Sequence, residues 1–117
     1  MSDRKARNAA SASALEVYKA AELLASVEYQ AVLKPAEAIY QAVSRAAHRA
    51  YQETHYSIGN SESRAAQEAA FNTLLCDAAK SRDTIVAPAK ARYHAVVAAA
   101  FAVYIETTAK IASGDLS

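Results

Sequence analysis

Two copies of the tetrad Tyr-x-Glu-Thr, at 51–54 and 104–107, are the first places in this chain of 117 residues where chemistry could reside. At one level in a bundle, Glu53 and Glu106 would form a carboxylate pair able to share a proton or hold a divalent metal. At opposite ends of a hairpin they would do neither and would be ordinary surface residues. His48, Glu53 and His55 offer metal-binding atoms, but their spacing matches neither Glu-x-x-His nor His-x-x-x-His, the patterns that put donors on one helix face. Cys76 has no histidine near it in sequence and Asp77 beside it, a neighbour that disfavours the thiolate a nucleophile requires. The sequence contains no phosphate-cradling glycine loop, nucleophile elbow or zinc-ligand spacing. The expectation is a protein that is not an enzyme and has no cofactor and no metal.

A more regular set is aromatic. Tyr18, Tyr29, Tyr40 and Tyr51 stand eleven residues apart, and Phe71, Arg82, Tyr93 and Tyr104 repeat the interval. Only Arg82 breaks this ladder, and it is expected to tolerate aromatic replacement. A stack of tyrosines could clasp a planar ligand, but an aromatic stripe at helical spacing belongs more naturally to a core, with its hydroxyls at the edge.

The elements that position the ladder follow from its period. Eleven residues over three turns is close to the natural pitch of an α-helix, so the hendecad implies nearly straight or gently right-handed supercoiled helices. Written in lines of eleven from Ala14, the first half reads ALEVYKAAELL, ASVEYQAVLKP, AEAIYQAVSRA and AHRAYQETHYS. Line positions 1, 4, 5 and 8 form an apolar face of Ala, Val or Ile, Tyr, and Val or Leu, opposite Lys19, Gln30, Gln41, Gln52, Lys34 and Arg45. A shift of 53 residues aligns 35–54 with 88–107 at eleven of twenty positions, among them Pro35/Pro88, Tyr40/Tyr93 and Tyr51/Tyr104, which reads as an internal duplication.

Local signals divide the chain. Ser13 and Glu16 have the spacing of a capping box and predict a helix start. Gly59 within "SIGNSES" predicts the one reversal, with Ser61 or Ser63 as the next N-cap, and Gly114 predicts the end of the second arm. The predicted organisation is a flexible basic arm over 1–12, one helical domain over 13–112 (copy one 13–58, turn 57–63, copy two 61–112) and a tail over 113–117. Neither proline is flanked by the Gly, Asn, Asp or Ser of a turn, and the eleven-residue phase runs through both. The fold class is therefore all-α: an internally duplicated antiparallel helical hairpin with Pro-kinked arms in four helical segments, associating into a bundle. A compact up-down-up-down four-helix bundle, reversing at Pro35 and Pro88, is the alternative.

Composition limits the function. Half of the 53% hydrophobic residues are alanine, which favours helix but leaves few large side chains for a core. The thin core, and "HAVVAAAFAVYI" at 94–105 with apolar residues around most of its circumference, predict a homodimer or larger assembly with Val97, Phe101 and Ile105 on the association surface. A net charge of +1 provides no general attraction for nucleic acid, so binding it through a basic arm of Arg4, Lys5 and Arg7, or through the face of a helical-hairpin dimer, is the least favoured reading. The apolar run 95–105 is too short for a bilayer span, and the lone cysteine and the absence of a signal peptide predict a cytoplasmic location. The eleven-residue period resembles that of apolipoprotein-like and desiccation-protective helices, which implies lipid-surface binding. Those helices edge their apolar face with lysine, whereas glutamine and tyrosine dominate here. The leading expectation is a small helical interaction protein that self-associates and presents a helix face to a protein partner.

Overall fold

The computed structural model describes residues 2–55 and 61–114. These form two long α-helices, α1 (Ser2–His55) and α2 (Ser61–Ser113), and no strand is present among the described residues. The expected reversal at Gly59 lies outside them. Alanine is the strongest helix former, and neither helix contains a glycine, so propagation meets no obstacle except at the prolines.

Helix α1 begins well before the capping box at Ser13. The segment "SDRKARNAASAS" contains no helix breaker, and Asp3 in the first turn complements the positive end of the helix dipole. Arg4, Lys5 and Arg7 are therefore exposed residues on the opening turns of α1, where a flexible arm was expected. At the other end, Gly114 takes φ 80°, in the left-handed region, and its N–H donates to the Ile111 carbonyl at 3.2 Å. This is the predicted helix stop. A side chain there would be strained by the backbone angle alone.

Both helices continue through their prolines. Each proline lacks an N–H, so the carbonyls four residues back, Ala31 and Thr84, lose their helical donor. The packing divides at nearly the same points: one unit comprises 1–30 with 89–117, the other 31–88. In each unit an α1 segment packs antiparallel to an α2 segment.

The cores are thin. In the first unit Ala25 and Ile111 are buried; in the second, Ala36, Ala47 and Val86. Ala25, Ala36 and Ala47 all occupy the first position of the eleven-residue line, where a methyl group lets backbones approach closely. Around them the half-buried positions recur at intervals of four, four and three: Ala14, Tyr18, Ala21 and Tyr29 in the first unit, and Tyr40, Val43 and Tyr51 in the second. The facing α2 positions follow the same rhythm, with Tyr93, Val97, Ala100 and Tyr104 in the first unit and Phe71, Leu75, Ala78 and Arg82 in the second.

Candidate interaction face

The ladder residues meet across the seam in pairs. In the first unit the Tyr18 ring lies 5.7 Å from Tyr104, and Tyr29 lies 5.5 Å from Tyr93. In the second unit Tyr51 lies 5.0 Å from Phe71. Each rung moves eleven residues up α1 and eleven down α2. The rings are half-buried, and their tilted, offset contacts suit the quadrupoles of aromatic pairs.

The rung that looks vacant in the sequence is occupied. Arg82 places its guanidinium 4.4 Å from the centre of the Tyr40 ring. Its Nη1 lies 3.7 Å from a Glu37 carboxylate oxygen, and its Nε donates to Asp83 at 3.2 Å. A flat cation over an electron-rich face replaces the aromatic pair, and the carboxylates balance its charge. Pairing the two ladders in antiparallel order would have set Arg82 opposite Tyr40 from sequence alone.

Other candidate residues find duller partners. His48 sets its ring against the edge of Phe71 at 4.8 Å, and its Nδ1 lies 2.8 Å from the Ser44 carbonyl, placed to donate to it. Glu53 is exposed in the second unit, while Glu106 belongs to the first and pairs with Lys110 at 3.2 Å. The His55 side chain lies outside the described residues. Among the described residues no group of three His, Cys, Asp or Glu could hold a metal. Cys76 is a free, exposed thiol. The phenol of Tyr18 is held above its ordinary pKa, first by a hydrogen bond with the Glu22 carboxylate, then by partial loss of water and by the negative charge of Glu22.

Line position 4 distinguishes the seam from the rest of the apolar face. Val17 and Ile39 do not enter the seam; they are 66% and 61% exposed and line grooves along one side of it. In the second unit a groove of about 240 Å³ has Ile39 and Val43 on one wall and Leu74, Ala78 and Ile85 on the other, with Asp77 and Arg82 at its edge. A neighbouring groove of about 200 Å³ lies between Ala47, Ala50 and Tyr51 and the opposing Ala70, Phe71 and Leu74. In the first unit Ala14, Val17, Val103 and Tyr104 line another of about 290 Å³. All three open between line positions 1, 4, 5 and 8 of both helices, with Asp77 and Ser13, at position 11, on their edges. The groove-side flank of α1 continues this pattern: Ala31, Pro35, Ile39, Ala42, Ala46 and Ala50 are uncharged, exposed and spaced four, four, three, four and four apart. The same spacing is readable in the sequence once a second face is sought.

Of the residues expected on an association surface, Val97 is half-buried in the seam. Phe101 is 49% exposed, with its ring 5.7 Å from Tyr18, and Ile105 is also 49% exposed. Around them α2 contains one stretch long and apolar enough, by length and composition, to cross a membrane, and almost none of it is buried. The two charges tolerated in such a stretch are missed when only the uninterrupted run 95–105 is counted.

No protein-family model, curated protein or solved structure matches this chain.

Proposed function

We propose that this is a small, non-enzymatic helical interaction protein: an antiparallel hairpin with arms bent at its prolines, which self-associates and presents a helix face to a protein partner. The observation that supports this reading is uncovered apolar surface. Among the described residues twelve large apolar side chains are exposed, and those at Val17, Ile39, Leu74 and Ile85 lie beside or within the grooves.

Protein is a better cover for this surface than lipid. Tyr18 sits against Phe101 and Tyr104 in the middle of the apolar part of α2, so the exposed charges Glu16, Lys19 and Glu22 on α1 lie at the same level. Carrying α2 into hydrocarbon with its partner segment would take these charges along, at several kcal/mol each by about the most lenient scale. The polar face suits an aqueous, reducing compartment in which Cys76 remains a thiol.

Sedimentation equilibrium of the full chain at micromolar concentration tests the reading. A dimer or larger species is expected, with high helicity in plain buffer. A folded monomer would refute self-association. A chain that becomes helical only on anionic vesicles would establish lipid binding instead.

A further inference from the structure

The second unit carries a charge pattern that its own packing does not use. Asp77 lies on the groove edge of α2, exposed, with no ion pair among the described residues. Arg49, on the outer border of the Ile39, Ala42, Ala46 and Ala50 stripe of α1, is likewise exposed and has no ion pair among the described residues. The rungs Tyr40–Arg82 and Tyr51–Phe71 fix the levels of the two segments and set position 45 of α1 opposite Asp77. Arg49 stands one turn from that level, and because helical side chains lean toward the N-terminus of their own helix, its long side chain can span that turn. Within one chain the two groups lie on opposite borders of the grooved face, α1 bearing the cation and α2 the anion.

We infer that the grooved face of this unit is covered by the same face of a second copy, with the two-fold axis running along the helices. Each α1 then lies on the partner's α2, and Arg49 of each copy meets Asp77 of the other. This rests on the self-association proposed above and names its surface and orientation. Three observations converge. The groove is apolar, and at about 240 Å³ it accommodates large aliphatic side chains such as Ile39 and Leu74 of a second copy. The α1 flank beside it consists mostly of small residues at the seam's own spacing, which suits a second close helix contact. The two border charges are of opposite sign and at one level, so this axis pairs both, twice per dimer. An axis across the helices would set α2 on α2 and leave Asp77 with no cation from α1. Lys80, the nearest other charge on that side of α2, does not line the groove.

The test uses the full chain in sedimentation equilibrium, with helicity by circular dichroism as a control for folding. Asp77→Arg and Arg49→Asp are each expected to weaken dimerisation about tenfold or more, since each creates two like-charge contacts, and the double variant to restore it to within about threefold. Ile39→Asp, at an exposed position outside the seam, is expected to abolish the dimer without loss of helicity. A dimer that withstands Ile39→Asp but is lost in Phe101→Asp would place association elsewhere and refute this inference while leaving self-association intact. Failure of the double variant to recover would refute the orientation. A monomeric wild-type chain would refute both this inference and the reading it rests on.

Discussion

Removing the Arg82 guanidinium from the Tyr40 face should cost a definite and separable amount. A cation–π contact is worth about 0.5–1 kcal/mol when exposed and about 2 kcal/mol when desolvated. With 26% of its side chain exposed, Arg82 lies between these limits, at about 1 kcal/mol. The Glu37 carboxylate is 39% exposed and 3.7 Å away, so screening leaves that pair about 0.5 kcal/mol at most. Asp83, 71% exposed, adds nothing of consequence. Packing of the aliphatic stem brings the loss in Arg82→Ala to about 2 kcal/mol. Urea denaturation followed by circular dichroism, at two protein concentrations to separate folding from association, measures it. A double-mutant cycle with Tyr40→Leu and Arg82→Met isolates the contact, with an expected coupling of about 1 kcal/mol. Arg82→Phe exchanges the cation for an aromatic pair worth about 0.5–1.5 kcal/mol and should fall within about 1 kcal/mol of wild type. Zero coupling would show that the guanidinium only lies near the ring. A loss above about 2 kcal/mol in Arg82→Phe would show that the ion pair outweighs the ring contact.

Ala36→Leu forces three extra carbons into the seam and should destabilise by about 1–3 kcal/mol in urea melts; a neutral result would mean the seam is looser than its burial implies. Tyr93→Ala removes the partner of Tyr29 and should cost about 3 kcal/mol, whereas a loss below about 0.5 kcal/mol would make the ladder a surface feature. Because its pKa is raised, the Tyr18 phenol should ionise above the ordinary tyrosine range in an NMR titration, and Glu22→Gln should bring it back toward that range. The sign for stability follows: the neutral phenol is favoured in the fold, so the contribution is full below the unfolded pKa and is lost as pH rises through the folded one. Pro35→Ala and Pro88→Ala each restore a donor for the Ala31 or Thr84 carbonyl and should raise stability by about 1–3 kcal/mol; a loss would mean the helices depend on their prolines.

Much of this architecture could be read from the chain because its period is so regular. The tyrosines placed on one face by the eleven-residue spacing are the residues that meet partners across the seam, and Gly114 ends α2 where its freedom in φ predicts. The helix starts at Ser2 and not at the capping pattern of Ser13 and Glu16, because nothing upstream stops propagation and alanine continues wherever it is not stopped. Position 4 was assigned to the same buried face as positions 1, 5 and 8. It lies only about 65° from the seam centre, at about 98° per residue, so Ile39 borders the groove without filling the seam. A neutral composition hid the pairing of Arg49 with Asp77, because net charge averages over faces that a partner would read separately.

A zipper with identical teeth can close one tooth out of place, and this one is nearly such a zipper. Displacing α2 by one repeat in either direction still sets aromatic residues opposite one another at most rungs. Arg82 is the exception. One shift moves it from Tyr40 to Tyr29, where Ser26 stands in the place of Glu37; the other moves it to Tyr51, where His48 does. In both misaligned forms the guanidinium keeps a ring and Asp83 but loses the Glu37 carboxylate across the seam. One irregular residue thus marks the register of an otherwise repetitive chain, by a preference of about 0.5 kcal/mol at most.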